Sequence, residues 1–114
     1  MYEMIFCVSV RGFDVPDSIL SGLGRDSNFR VIPEKRYFYS AETFKTQSPE
    51  EIDTVLGQAL DLAEPYADAF RAICEDGGTV ELYITFRSRT SGGFDIPRTT
   101  VKRISALNMS ISID

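Results

Sequence analysis

Three sets of residues have types and spacings that could do chemistry, and none supplies a reacting group with its activating partner. Asp61, Glu64 and Asp68 fall at i, i+3 and i+7, on one face of a helix, where carboxylates could gather a metal or divide acid and base roles. That face is opposite the apolar stripe, and carboxylates need partial burial or convergent partners to shift their pKa values. A solvated surface is the reading, and no metal is assigned. The run Arg87-Ser88-Arg89-Thr90-Ser91-Gly92-Gly93 combines guanidinium, hydroxyl and glycine residues, which could wrap an anion with backbone N–H groups and positive charge. A flexible connection has the same composition. With Arg98, Lys102 and Arg103 it makes a positive patch that suits an acidic protein surface.

The third set is aromatic. Tyr83 alternates with the apolar residues of a strand, and Tyr37 and Tyr39 share one side of another. If all three fall on the sheet face away from the helices, that face is a contact surface. The candidate binding residues are therefore Tyr37, Tyr39, Tyr83, Arg87, Arg89 and Arg98, with no catalytic residue and no cofactor.

The chain has no histidine. This removes Ser-His-Asp and Cys-His nucleophilic machinery and the side chain best suited to proton transfer at neutral pH. Phosphate-binding glycine loops, a GxSxG elbow and an EF-hand loop are also missing. An enzyme is the less favoured reading.

The elements that position these groups follow from periodicity. Met4, Phe6, Val8 and Val10 alternate with Ile5, Cys7 and Ser9 as a strand that Gly12 ends. A short helix begins near Pro16 and carries Ile19, Leu20 and Leu23. Phe29–Ile32 and Arg36–Phe44 form a hairpin around Pro33. Ser48-Pro49-Glu50-Glu51 reads as a capping box for a long helix from Ile52 to Cys74, with a kink or break near Ala63 imposed by Pro65. Val80, Leu82, Ile84 and Phe86 mark a strand, and a second proline-started helix runs from Pro97 to about Leu107. Asn108 caps that helix in the left-handed region, and Met109, Ile111 and Ile113 close the chain as a strand.

This order predicts one α+β domain over residues 1–114 with a ferredoxin-like split β-α-β core. The sheet is mainly antiparallel, helices cover one face, and an extra helix and strand follow at the C-terminal end. A chain of 114 residues, 43% hydrophobic and 25% charged, can bury one core without staples. Cys7 and Cys74, the only cysteines, are expected as buried free thiols of a reducing cytoplasm. No basic leader and no membrane-length apolar run is present. A net charge of −5 argues against general nucleic-acid affinity. The charge is also two-sided: the long helix is acidic, and the segment from Arg87 to Arg103 is basic.

Gly92-Gly93-Phe94-Asp95-Ile96-Pro97, followed by the helix at Val101 and the alternation from Met109 to Asp114, resembles the C-terminal signature of a bacterial family known as domain of unknown function 4279. The acidic helix and the strand at Val80 to Arg87 stand in the matching order. The middle departs from that family, which usually carries a tryptophan and a Lys-Gly pair where this chain has Phe29-Arg30-Val31-Ile32 and no tryptophan. The resemblance implies a bacterial cytoplasmic α+β domain and brings no activity, cofactor or site residue. A protein-binding or regulatory module, of immunity type or self-associating, is the expected function. A small-ligand receptor or enzyme using the open sheet face is the alternative.

Overall fold

The N-terminal alternation folds as β1 (Met4–Phe13), with Phe6, Val8 and Val10 fully buried on one face. The structure is a computed structural model that describes residues 4–89 and 93–114. β1 pairs antiparallel along its length with β5 (Thr79–Ser88). Its other side is shared: Arg11 to Phe13 pair with β3 (Tyr37–Ser40), and Phe6 to Val8 pair with β4 (Phe44–Thr46). β2 (Phe29–Ile32) lies antiparallel to β3, and β6 (Met109–Ile113) lies parallel to β5. The sheet order is β2-β3-β1-β5-β6, with β4 on β1. The molecule is α+β with a mostly antiparallel sheet.

Helices α1 (Asp17–Gly24), α2 (Ile52–Ala63), α3 (Ala67–Glu75) and α4 (Arg98–Ala106) cover the face that carries Phe6, Val8, Val10, Phe38, Leu82 and Ile84. Leu56, Leu60, Phe70 and Ile73 reach into this layer and are completely buried. Each such side chain contributes about 1.5–3 kcal/mol by leaving water. Pro65 breaks the acidic helix as its chemistry requires: a 3₁₀ turn at Glu64–Tyr66 separates α2 from α3. The two segments still pack on one sheet, because Phe70 of α3 stacks on Phe38 at 5.8 Å between ring centroids. Asn108 adopts φ 58° after α4, the expected left-handed cap.

Four expectations are corrected. Gly12 does not end β1; the strand passes through it to Phe13, because the missing side chain makes room for the Phe38 ring. The stretch 36–44 is not one strand. It breaks after Ser40, whose hydroxyl accepts from the Val10 N–H at 3.4 Å and donates to the Glu42 carbonyl at 2.8 Å. The capping box does not form, since Ser48 makes no side-chain capping bond. Thr46 takes its place: its hydroxyl accepts from the Ser48 N–H at 3.1 Å and reaches Glu51 Oε2 at 3.3 Å. Both cysteines are free, but each is only half-buried, Cys7 because it alternates onto the open face of β1.

Candidate functional site

Period two decides which aromatic side chains reach the uncovered sheet face. Phe38 and Ser40 are buried beneath the helices, so Tyr37 and Tyr39 of β3 must emerge on the other side. Register then aligns them with their neighbours. Tyr39 stands between Arg30 of β2 and Arg11 of β1, and Tyr37 stands between Ile32 and Phe13. The Tyr37 and Tyr39 rings are stacked with centroids 5.7 Å apart, and Phe13 lies 5.0 Å from Tyr37. On its far side Arg11 faces Glu81 of β5. Its guanidinium carbon lies 3.5 Å from the centroid of the Tyr83 ring, a cation–π contact.

The charges of this face differ from those of the whole chain. Among the described residues Arg11, Arg30, Lys45 and Arg87 alternate onto it, and the acids Glu81 and Asp114 are engaged within it. Glu81 accepts from the Ser112 hydroxyl at 2.7 Å, and Asp114 accepts from the Tyr83 hydroxyl at 2.9 Å. An acidic protein thus presents a cationic, aromatic sheet surface. Partial burial raises the Tyr37 pKa above the ordinary tyrosine value, with Arg11 opposing the shift. Tyr83 is raised as well, mainly because its hydroxyl donates to the Asp114 carboxylate. Raised in this way, Tyr37 and Tyr83 are neutral near pH 7.

Of the residues singled out from sequence, Tyr37, Tyr39, Tyr83 and Arg87 share the open face. Arg89 lies just beyond β5, exposed, and lines a cleft of about 360 Å³ with Ile5, Arg87 and Ser88. Arg98 does not join them. It starts α4 in the helical layer, across the sheet from the tyrosines. Thr90, Ser91 and Gly92 lie outside the described residues, and with them the centre of the loop read as an anion wrap. The sequence reading missed Arg11, Phe13 and Arg30. Arg11 and Phe13 were legible, since both continue the Ile5, Cys7, Ser9 alternation; Arg30 needed the β2–β3 register.

The acidic helical face is only partly a solvated surface. Arg103 of α4 donates to Asp61 Oδ1 at 2.9 Å and to Glu64 Oε1 at 2.5 Å, and these bonds raise its pKa further. Thr100 donates to Asp53 at 2.5 Å. Asp68 pairs with Arg71 on its own helix. The basic segment therefore gives Arg103 to the acidic helix and does not present it as part of a free positive patch.

No helix among the described residues is long and apolar enough to cross a membrane. A family model described as Domain of unknown function (DUF4279) matches residues 17–114, well beyond the C-terminal third that carries the resemblance. No curated protein and no solved structure matches the chain.

Proposed function

This chain belongs to the DUF4279 family, and we propose that it is a protein-binding module that docks an acidic partner surface on its open sheet face. The observation that carries this reading is the row Arg30, Tyr39, Arg11 and Glu81 across the sheet, with Tyr37 stacked beside Tyr39 and Arg11 lying against Tyr83. Tyrosine and arginine are the side chains that dominate binding energy at protein interfaces, because they bury much area and still form directed polar contacts. Among the described residues of the face the acids Glu81 and Asp114 are hydrogen-bonded within it and the cations outnumber them, so a partner bearing carboxylates gains on both counts.

The strand order β2-β3-β1-β5, with helices entering after β1 and before β5, supports the ferredoxin-like split core, to which α4 and β6 are additions. The free thiols of Cys7 and Cys74 support a reducing, cytoplasmic setting. A module that docks through this face regulates by occlusion, the way an immunity-type protein covers the working surface of its target. The small-ligand alternative has one feature in its favour, a broad cleft of about 320 Å³ lined by Phe13, Ile32, Lys35 and Tyr37 at one end of the face.

A photo-crosslinking residue placed at Tyr39, compared with one at exposed Gln58 on α2, tests the proposal in cells of the native host. The expected result is a protein adduct of fixed mass from position 39 alone, lost when Arg11→Glu and Arg30→Glu are introduced together. The same adducts from both positions, or an adduct indifferent to the two reversals, would overturn it.

A further inference from the structure

The large hydrophobic residues left exposed among the described part of the chain are Val101, Ile111 and Ile113, and they belong to neighbouring elements, α4 and β6. β6 is the outermost strand on its side of the sheet. Natural sheets blunt such edges with charge, proline or a covering element. The opposite edge, β2, has exposed Arg30 and Pro33 directly after it, while a helix packs against each edge strand, α1 on β2 and α4 on β6. β6 reads Met109-Ser110-Ile111-Ser112-Ile113, with no charge, no proline and no bulge.

The backbone of this edge is also aimed outward. Asp114 donates its N–H to the Ile84 carbonyl at 2.9 Å and accepts from the Phe86 N–H at 3.1 Å, so Asp114 faces β5. Backbone groups alternate along a strand, which turns the N–H and C=O groups of Met109, Ile111 and Ile113 to the free side. These are the same residues whose side chains lie on the helical face of the sheet.

We propose that β6 pairs with β6 of a second copy, antiparallel and centred on Ile111, so that the two sheets continue across a two-fold axis. In that register Ile111 meets Ile111 of the second copy, Met109 meets Ile113, and Ser110 meets Ser112. The apolar residues of one face and the serines of the other are thus matched without a shift. Each Asp114 falls opposite the neutral Asn108 of the second copy, so the carboxylates stay apart. The charged, aromatic open face is not consumed, and the pairing doubles it. Isologous pairing of one patch with itself is the commonest symmetric solution. A single short strand with a few apolar side chains lies below the size of obligate interfaces, and the dimer is expected to dissociate at about 10–100 μM.

Sedimentation equilibrium over about 5–500 μM tests this, with exchange of the Ile111 and Ile113 amides followed in parallel. A monomer–dimer equilibrium is expected, along with amide protection at those two residues that rises with concentration. Ile113→Lys, the most exposed of the three positions, should shift dissociation at least tenfold weaker without changing the circular dichroism spectrum. Arg11→Glu with Arg30→Glu should leave dimerisation unchanged. A monomer throughout the range, a dimer that survives Ile113→Lys, edge amides indifferent to concentration, or dimerisation lost only in the open-face variant would overturn the proposal.

Discussion

A Cβ atom on Gly12 would sit 2.0 Å from Cε1 of Phe38, inside the ring's own volume. The glycine is therefore the seat of the aromatic ring that joins β3 to α3. Gly12→Ala must push Phe38 from a completely buried site, and overpacking of this kind costs about 1–3 kcal/mol. The denaturant midpoint should fall accordingly at unchanged m-value. Phe38→Leu combined with Gly12→Ala should recover part of the loss. An alanine variant as stable as the parent would show that the ring does not rest on Gly12.

Thr46, rather than Ser48, holds the entrance to α2. Thr46→Val keeps the shape but removes the acceptor for the Ser48 N–H and the link to Glu51, a loss of about 1 kcal/mol. Ser48→Ala should change stability by less than half of that, because the Ser48 hydroxyl makes no cap. Urea denaturation of both variants separates the two roles, and the reverse ranking would restore the capping box.

The Asp26–Tyr66 pair ties the loop after α1 to the turn at Pro65, with the Asn28 N–H donating to Asp26 Oδ1 at 3.0 Å. The bond from Tyr66, helped by the Asn28 N–H, lowers the Asp26 pKa. Its stabilising effect is complete above about pH 4 and is lost as the pH falls through the folded value. Tyr66 is raised by burial first and by Asp26 second. That contribution is present below about pH 10 and is lost as the pH rises through the folded tyrosine value. The stability difference between parent and Tyr66→Phe should therefore be flat at neutral pH and shrink at both extremes. Urea midpoints at pH 3, 7 and 11 measure it, and a difference that grows in acid would contradict the sign.

Arg103 links α4 to α2 through Asp61 and to the turn after α2 through Glu64, but its side chain is 38% exposed and Asp61 is 72% exposed. Solvent screening limits such a link to under about 1 kcal/mol. Arg103→Gln should lower stability by that much at low salt, with most of the difference gone near 0.5 M salt. A salt-independent loss would mean that the packing of the Arg103 side chain, and not its charge, is what matters.

Much of the frame is written locally. The alternation in β1 and β5, the interruption at Pro65 and the left-handed Asn108 each follow from residue type and spacing, because backbone sterics and side-chain direction act over a few residues. The boundaries that were misread depend on distant partners. Gly12 looked like a terminator until Phe38, from another strand, occupied its space, and Ser48 looked like a cap until Thr46 competed for its N–H.

The candidate site divides in the same way. Composition alone determined that this chain carries no histidine-based catalysis, and strand periodicity determined that Tyr37 and Tyr39 share a face with each other and not with Phe38. Only the tertiary structure decided that this face is the open one, that Arg11 and Arg30 flank Tyr39, that Arg103 turns to the acidic helix, and that Ile111 and Ile113 stand exposed on an edge strand. The physical reason is that a strand's alternation repeats every two residues and is indifferent to register, whereas which side chains become neighbours is set by pairing between segments far apart in the chain.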